Sequence, residues 1–116
     1  MALLTPQRIS KVGITNISSA LVAADTAGDS VISASGLVIV MENADSGSHT
    51  LTVAAPVATK DCGNLGALAV APVTLAVAAG GIGAVTIPAG YSSQSLFEWT
   101  YDAVTDVTIG VFVANA

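Results

Sequence analysis

Short β-branched runs, each closed within a few residues by Gly, Pro, Asn or Asp, leave this chain almost nowhere to form a helix. No segment places apolar residues at i, i+3, i+4 and i+7 behind a capping box, and alanine-rich patches such as Val77-Ala78-Ala79 are too short to nucleate one. Strand signals recur instead. Leu37-Val38-Ile39-Val40-Met41-Glu42-Asn43 is a continuous apolar run of strand length, suited to burial on both faces and closed by Asn43-Ala44-Asp45-Ser46-Gly47. His49-Thr50-Leu51-Thr52-Val53 alternates with period two until Pro56, and the two segments together read as a hairpin.

Upstream, Ile17 to Ala24 and Val31 to Ala34 flank the turn-rich Asp25-Thr26-Ala27-Gly28-Asp29, a strand, turn, strand pattern. Downstream, Ala54 to Ala69 holds Pro56, Lys60-Asp61-Cys62-Gly63-Asn64 and Gly66 and reads as a long connection. Val73 to Val77 and Gly83 to Ile87 follow around a break at Gly80-Gly81. The last third contributes Ser95 to Tyr101, a turn near Asp102-Ala103, and Val107 to Val113. About eight strands at this spacing predict an all-β chain folded as an antiparallel two-sheet β-sandwich.

One domain is expected, since 116 residues bury roughly two-thirds of their unfolded surface around a single core. Residues 1–12 stand apart. Pro6, Gln7, Arg8 and Lys11 show no period and hold two of the three cations, so this segment reads as an extended N-terminal arm rather than a core strand, with the sandwich in residues 13–116.

Just over half of the residues are apolar, yet only five are Phe, Trp or Tyr. Val, Ile, Leu and Ala must therefore build the core, which favours a thin layer between sheets over a wide ligand cavity. Charged residues are 9% of the chain, against about a quarter in an average soluble domain. A surface that poor in charge is expected to be covered by copies of the chain or by a partner. Arg8, Lys11 and Lys60 face eight carboxylates, which leaves no basic stripe for phosphate, so direct nucleic-acid binding is excluded as an expectation. No run reaches the 18 to 20 apolar residues of a membrane helix, and the start MALLTPQRISK lacks a secretory pattern, so synthesis in the cytoplasm is expected. Cys62, the single cysteine, reads as a small apolar filler or loop residue, without disulfide or zinc.

Catalytic chemistry is thinly supplied, and neither enzymatic activity nor a cofactor or metal is expected. His49 is the only histidine and is assigned to a solvent-facing strand position. Asp25 with Asp29, or Asp102 with Asp106, could form a glycosidase-like carboxylate pair, but Asp has its own structural reason to sit in turns. Asp25, Asp29 and Asp45 offer a weak calcium alternative without an EF-hand loop. Gly80, Gly81 and Gly83 precede a strand, not a helix, and read as turn residues instead of a phosphate loop. Phe97, Trp99 and Tyr101 share one face of one strand, either as sheet core or as an oligomer contact.

Three stretches, in order, carry a family likeness: Gly36 to Asn43 leading into Ser48-His49-Thr50-Leu51-Thr52-Val53, then Val85-Thr86-Ile87-Pro88-Ala89-Gly90, then Val104 to Val111. This order resembles small head decoration (cement) proteins of tailed bacteriophages, over roughly Val12 to Asn115. The resemblance implies a jelly-roll-like domain on the capsid exterior of the virion, made in the host cytoplasm. It also implies a major capsid protein as partner and a homo-oligomer, a trimer favoured over a dimer, with the N-terminal arm laid across the shell. The candidate capsid contacts are then Leu3, Leu4, Pro6, Arg8, Ile9 and Lys11, and the candidate oligomer contacts Phe97, Trp99 and Tyr101. The competing readings are a head-completion or tail structural protein, and a host-surface or carbohydrate-binding module, which needs an exposed aromatic platform.

Overall fold

A computed structural model of the chain describes residues 2–10, 13–55, 59–61, 63–88, 91 and 95–114. Lys11, Pro56, Cys62, Ala89 and Gly90 lie outside the described residues. In chain order the strands are β1 (Ala2–Leu3), β2 (Gln7–Ile9), β3 (Val22–Ala23), β4 (Asp29–Ile32), β5 (Leu37–Asn43), β6 (His49–Val53), β7 (Thr59–Asp61), β8 (Ala67–Ala69), β9 (Val73–Val77), β10 (Ile82–Val85), β11 (Leu96–Tyr101) and β12 (Val107–Ala114). Short 3₁₀ turns lie at Ile17–Ala20 and Gly63–Leu65.

Two mixed sheets face each other. The first runs β1-β4-β11-β6-β9; the second runs β10-β5-β12-β2, with β3 also on β12, and β7 and β8 pair only with each other. The order follows from one rule of pairing. Val22 meets Ile109, Ile32 meets Leu96, Glu42 meets Ile82, His49 meets Val77 and Lys60 meets Leu68, all in antiparallel pairs. Partners thus lie at nearly equal chain distances on either side of the Gly63–Leu65 turn. The chain is one long antiparallel ribbon, doubled at that turn and rolled so that β5 also pairs β12 and β6 also pairs β11. This nesting of β3–β12, β4–β11, β5–β10 and β6–β9 is jelly-roll topology.

The expected hairpin between Leu37–Asn43 and His49–Val53 does not form, although both strands occur at those bounds. β5 lies in the second sheet and β6 in the first. The reason is length of pairing: β5 gains seven register partners along β12 and four along β10, which bury its inward Leu37, Ile39 and Met41. A second correction concerns Ile17 to Ala24, where only Val22–Ala23 is strand. The Ser19 and Leu21 amides bond back to the Asn16 and Ser18 carbonyls at 3.3 Å, and Ser19 Oγ also donates to the Asn16 carbonyl at 2.7 Å, so the segment meets its backbone bonds locally in place of a ladder. Gly83, expected in a turn, is a β10 residue. A Cβ there would lie 3.1 Å from Val77 Cγ2 and 3.3 Å from Leu75 Cδ1, so its bareness lets β9 and β10 close together.

The N-terminal segment is extended, but it is stitched into the sandwich instead of lying apart. β1 pairs with β4 and β2 with β12, and these are the two parallel pairings in otherwise antiparallel sheets. Leu4 packs against the core, and its amide donates to the Ser30 carbonyl at 2.7 Å.

The core between the sheets is built on Trp99, Ile39, Met41, Leu51, Ile109 and Val111. Phe112 and Val40 point the other way, out of the second sheet, yet are 1% and 8% exposed. They are screened because Leu21 and Ser18 lie over that face, which explains why β5 reads as buried on both sides. Gly110 makes room: a Cβ there would come within 2.6 Å of Leu21 Cδ2 and 3.2 Å of the Phe112 ring. Gly110→Val is therefore expected to destabilise the fold by about 1–3 kcal/mol in urea unfolding. Adding Leu21→Ala should recover part of that loss, since the two sites share one contact.

Candidate functional site

Two polar clusters stand at the same end of the inner face, where β11 finishes and β6 begins. The two-residue period puts His49 on the same side as Leu51 and Val53, so it faces inward and is 7% exposed, correcting the solvent-facing assignment. The turn after β5 and the turn after β11 supply its partners. His49 Nε2 lies 2.8 Å from Asp45 Oδ2, and Nδ1 lies 3.2 Å from Asp102 Oδ1. Asp102 Oδ1 also accepts the Thr50 amide at 3.0 Å and the Ala103 amide at 2.7 Å. Asn43 holds the other loop: its Nδ2 donates to the carbonyls of Gly47 at 2.8 Å and Val77 at 3.0 Å, and its Oδ1 accepts the Asp45 amide at 3.0 Å. Each bond satisfies a group that the end of a sandwich would otherwise leave stranded.

The Asp45 hydrogen bond raises the His49 pKa above its ordinary 6.5, against the opposing pull of burial and with further help from Asp102. The same bond holds Asp45 below the usual carboxylate range. Burial works against ionised Asp102, but the Thr50 and Ala103 amides and then His49 outweigh it and lower its pKa. When protonated, the imidazole lies between two carboxylates and donates to both. The raised histidine contributes stability that is complete below about pH 6.5 and is lost as pH rises through its folded value. The lowered carboxylates contribute stability that is complete above about pH 4 and is lost as pH falls through theirs. Wild-type Tm, measured by circular dichroism, is expected to fall between about pH 6 and pH 9 more than that of His49→Gln.

The second cluster is a relay through the aromatic strand. Trp99 Nε1 donates to the Tyr101 hydroxyl at 2.8 Å, and that hydroxyl donates to Asp29 Oδ2 at 2.5 Å. Asp29 is fully buried and also takes the Asp25 amide at 3.3 Å, while its Oδ1 has no hydrogen-bond partner among the described residues. Burial first, and the Asp29 carboxylate second, push the Tyr101 phenol far above its ordinary pKa of 10.0, so it stays a donor. Tyr101→Phe is expected to cost about 2–3 kcal/mol in urea unfolding, because it strips a buried carboxylate of its strongest donor and strands the Trp99 N–H.

The candidate oligomer contacts are thereby placed. Phe97 and Trp99 are core, 3% and 1% exposed, and Tyr101 is half-buried with its hydroxyl engaged, so the expectation that they meet another copy is corrected: their alternation follows the inner face of the first sheet. Of the arm candidates, Leu3 is 60% exposed and Arg8 is exposed, Pro6 and Ile9 are half-buried, and Leu4 packs inward. Leu3 and Leu4, with Ala20 and Val22, line a groove of about 240 Å³ over Gly110. An apolar recess of about 530 Å³ lies at the other end of the sandwich, between Ser33 to Leu37, Thr86, Ile87 and Phe97.

Asp25, Asp29 and Asp45 are not gathered, since Asp29 is held by Tyr101 and Asp45 by His49. Among the described residues no group of three His, Cys, Asp or Glu is placed to hold a metal ion. Asp102 and Asp106 likewise do not act as a pair: Asp102 belongs to His49, while Asp106 takes a left-handed turn at φ 55° and lends its carbonyl to Ala44. No family model, curated protein or solved structure matches the chain.

Proposed function

We propose that the chain is a structural virion protein that binds the outer surface of a bacteriophage capsid and stabilises the shell, as a head decoration or cement protein. The observation that supports this reading is a jelly-roll sandwich whose surface is poor in charge and carries exposed Leu3, Val22, Ile32, Leu65, Leu68 and Ile82. Apolar side chains on a thin, rigid body suit a protein that works by covering and being covered. A ligand that binds only the assembled shell stabilises it by mass action, summed over many weak sites.

In this reading the major capsid protein is the partner, and the protein, made in the host cytoplasm, ends on the capsid exterior as a homo-oligomer. Among the described candidates in the N-terminal segment, Leu3 and Arg8 are the exposed side chains, while the backbone is engaged with β4 and β12. The carbohydrate-binding alternative loses support. All five aromatic side chains are buried or half-buried, and the hydroxyls of Tyr91 and Tyr101 are engaged with Ala71 and Asp29.

The copy number of the chain relative to the major capsid protein, measured by quantitative mass spectrometry of purified particles, tests the role. A ratio near one to one, or a simple fraction such as one third, is expected. A handful of copies would point to a head-completion or tail part, and absence would end the virion reading. Leu3→Asp is expected to weaken particle binding about tenfold, or about 1.4 kcal/mol, in a co-sedimentation titration, with unfolding unchanged because Leu3 faces solvent.

A further inference from the structure

Between Asp61 and Glu98 the sequence contains no charged residue. The fold brings two strands of this stretch, β9 and β10, to one side of the molecule, while β8 pairs with β7. β9 ends the first sheet and β10 ends the second, and the two touch through Gly83 against Leu75 and Val77. The opposite side is blunted: there the sheets end on strands of two or three residues, β1 beside β4 and β2 with β3 beside β12. Very short edge strands are one way a β-protein avoids pairing with its neighbours. Among the described residues no such short strand ends the first sheet on the β9 side. β9 is five residues long, pairs only with β6 among the described residues, and holds no proline, lysine or other charge.

The ribbon tip lies beside it in the chain, joined to β9 by Val70-Ala71-Pro72. Every described side chain from Asp61 to Ala69 is exposed, including Leu65 at 74% and Leu68 at 44%, and β10 adds Ile82 at 55%. A free two-stranded hairpin is marginal in water. The radius of gyration, 15.2 Å against about 13 Å for a compact domain of this length, fits a tip that projects.

We infer that this side is a self-association surface, on which β9 pairs antiparallel with β9 of a second copy and joins the two first sheets into one. The strand is its own complement about Leu75. Val73 comes opposite Val77 of the second copy and Thr74 opposite Ala76, so inward apolar residues meet each other and small outward ones meet each other. Charge selects a second copy over another partner. Each molecule carries a formal net charge of −5, and two copies repel least when they approach along β9, which with β8 and β10 holds no charged residue. A partner of opposite charge would gain nothing there. The Val77 carbonyl is engaged by Asn43 Nδ2, so pairing centres on Thr74 to Ala76. An antiparallel self-pairing closes with twofold symmetry and leaves no edge open at the joint, in place of the threefold assembly favoured by the family resemblance. The inference does not rest on the capsid reading.

Sedimentation of the full chain over a concentration series tests it. The wild type is expected to show a reversible monomer–dimer equilibrium in the micromolar range, as befits a small interface. Thr74→Lys with Ala76→Lys sets lysine against lysine at both outward pairs and should weaken the dimer at least about tenfold. Thr74→Glu with Ala76→Glu should do the same. Mixing the two variants sets lysine against glutamate and should restore a dimer. A wild type that stays monomeric or sediments as a trimer, a dimer indifferent to the lysines, or well-folded variants that fail to rescue each other would overturn the inference. Should a variant not fold, amide exchange of the wild type decides: β9 amides that slow as concentration rises support the pairing, and amides indifferent to concentration refute it.

Discussion

Antiparallel pairing of chain positions mirrored about the Gly63–Leu65 turn is the constraint on which everything else in this protein depends. Because β5 has both edges taken by β10 and β12, and β6 by β9 and β11, the two do not meet each other, and every connection between neighbouring segments of the main roll crosses from one sheet to the other. The cross-sheet turns are therefore where the fold is pinned. Asn43 ties the turn after β5 to the end of β9, and Asp102 ties the turn after β11 to β6. A hairpin meander of the same strands would need neither bond.

The polar clusters follow from that geometry. A sandwich this thin has little interior beyond the contact layer, and at its end the inward positions fall to His49, Asp29 and Tyr101. Each is polar on the core face, and each is held by another polar group brought from a distant part of the chain. His49 gains two carboxylates, so its charge stabilises the turns when it is protonated. Among the described residues Asp29 has one oxygen bonded and one not, and the bonded oxygen takes the Tyr101 hydroxyl, which Trp99 holds in turn. The two edges of the sandwich differ for a related reason. The N-terminal segment has already used its backbone on β4 and β12, and nothing among the described residues does the same for β9 and β10.

Much of the strand content was legible. β5 and β6 occur at the bounds read from their apolar run and alternation, and β9, β11 and β12 fall within a residue or so of theirs. Their number and the near absence of helix were sufficient to indicate a sandwich. The candidate sites were less legible. Phe97, Trp99 and Tyr101 were correctly placed on one face, but a period of two says only that residues share a face, not that the face is interior. The same period puts His49 on the face of Leu51 and Val53, which is the interior one. Of its carboxylate partners Asp45 lies four residues away in the adjoining turn, but Asp102 carries no local signal, because it lies 53 residues away.

The sequence by itself determined that β5, β6, β9, β11 and β12 are extended, and how little charge and aromatic area the surface has to offer, because these depend on local backbone preference and on composition. The tertiary structure alone decided which strands pair, that the N-terminal segment is sewn into both sheets, that Gly110 and Gly83 are places of close approach, and that β9 and β10 end the sheets on one side among the described residues. Those outcomes depend on contacts between residues far apart in the chain, where the length of a shared ladder and the filling of a common core outweigh the preference of any single turn.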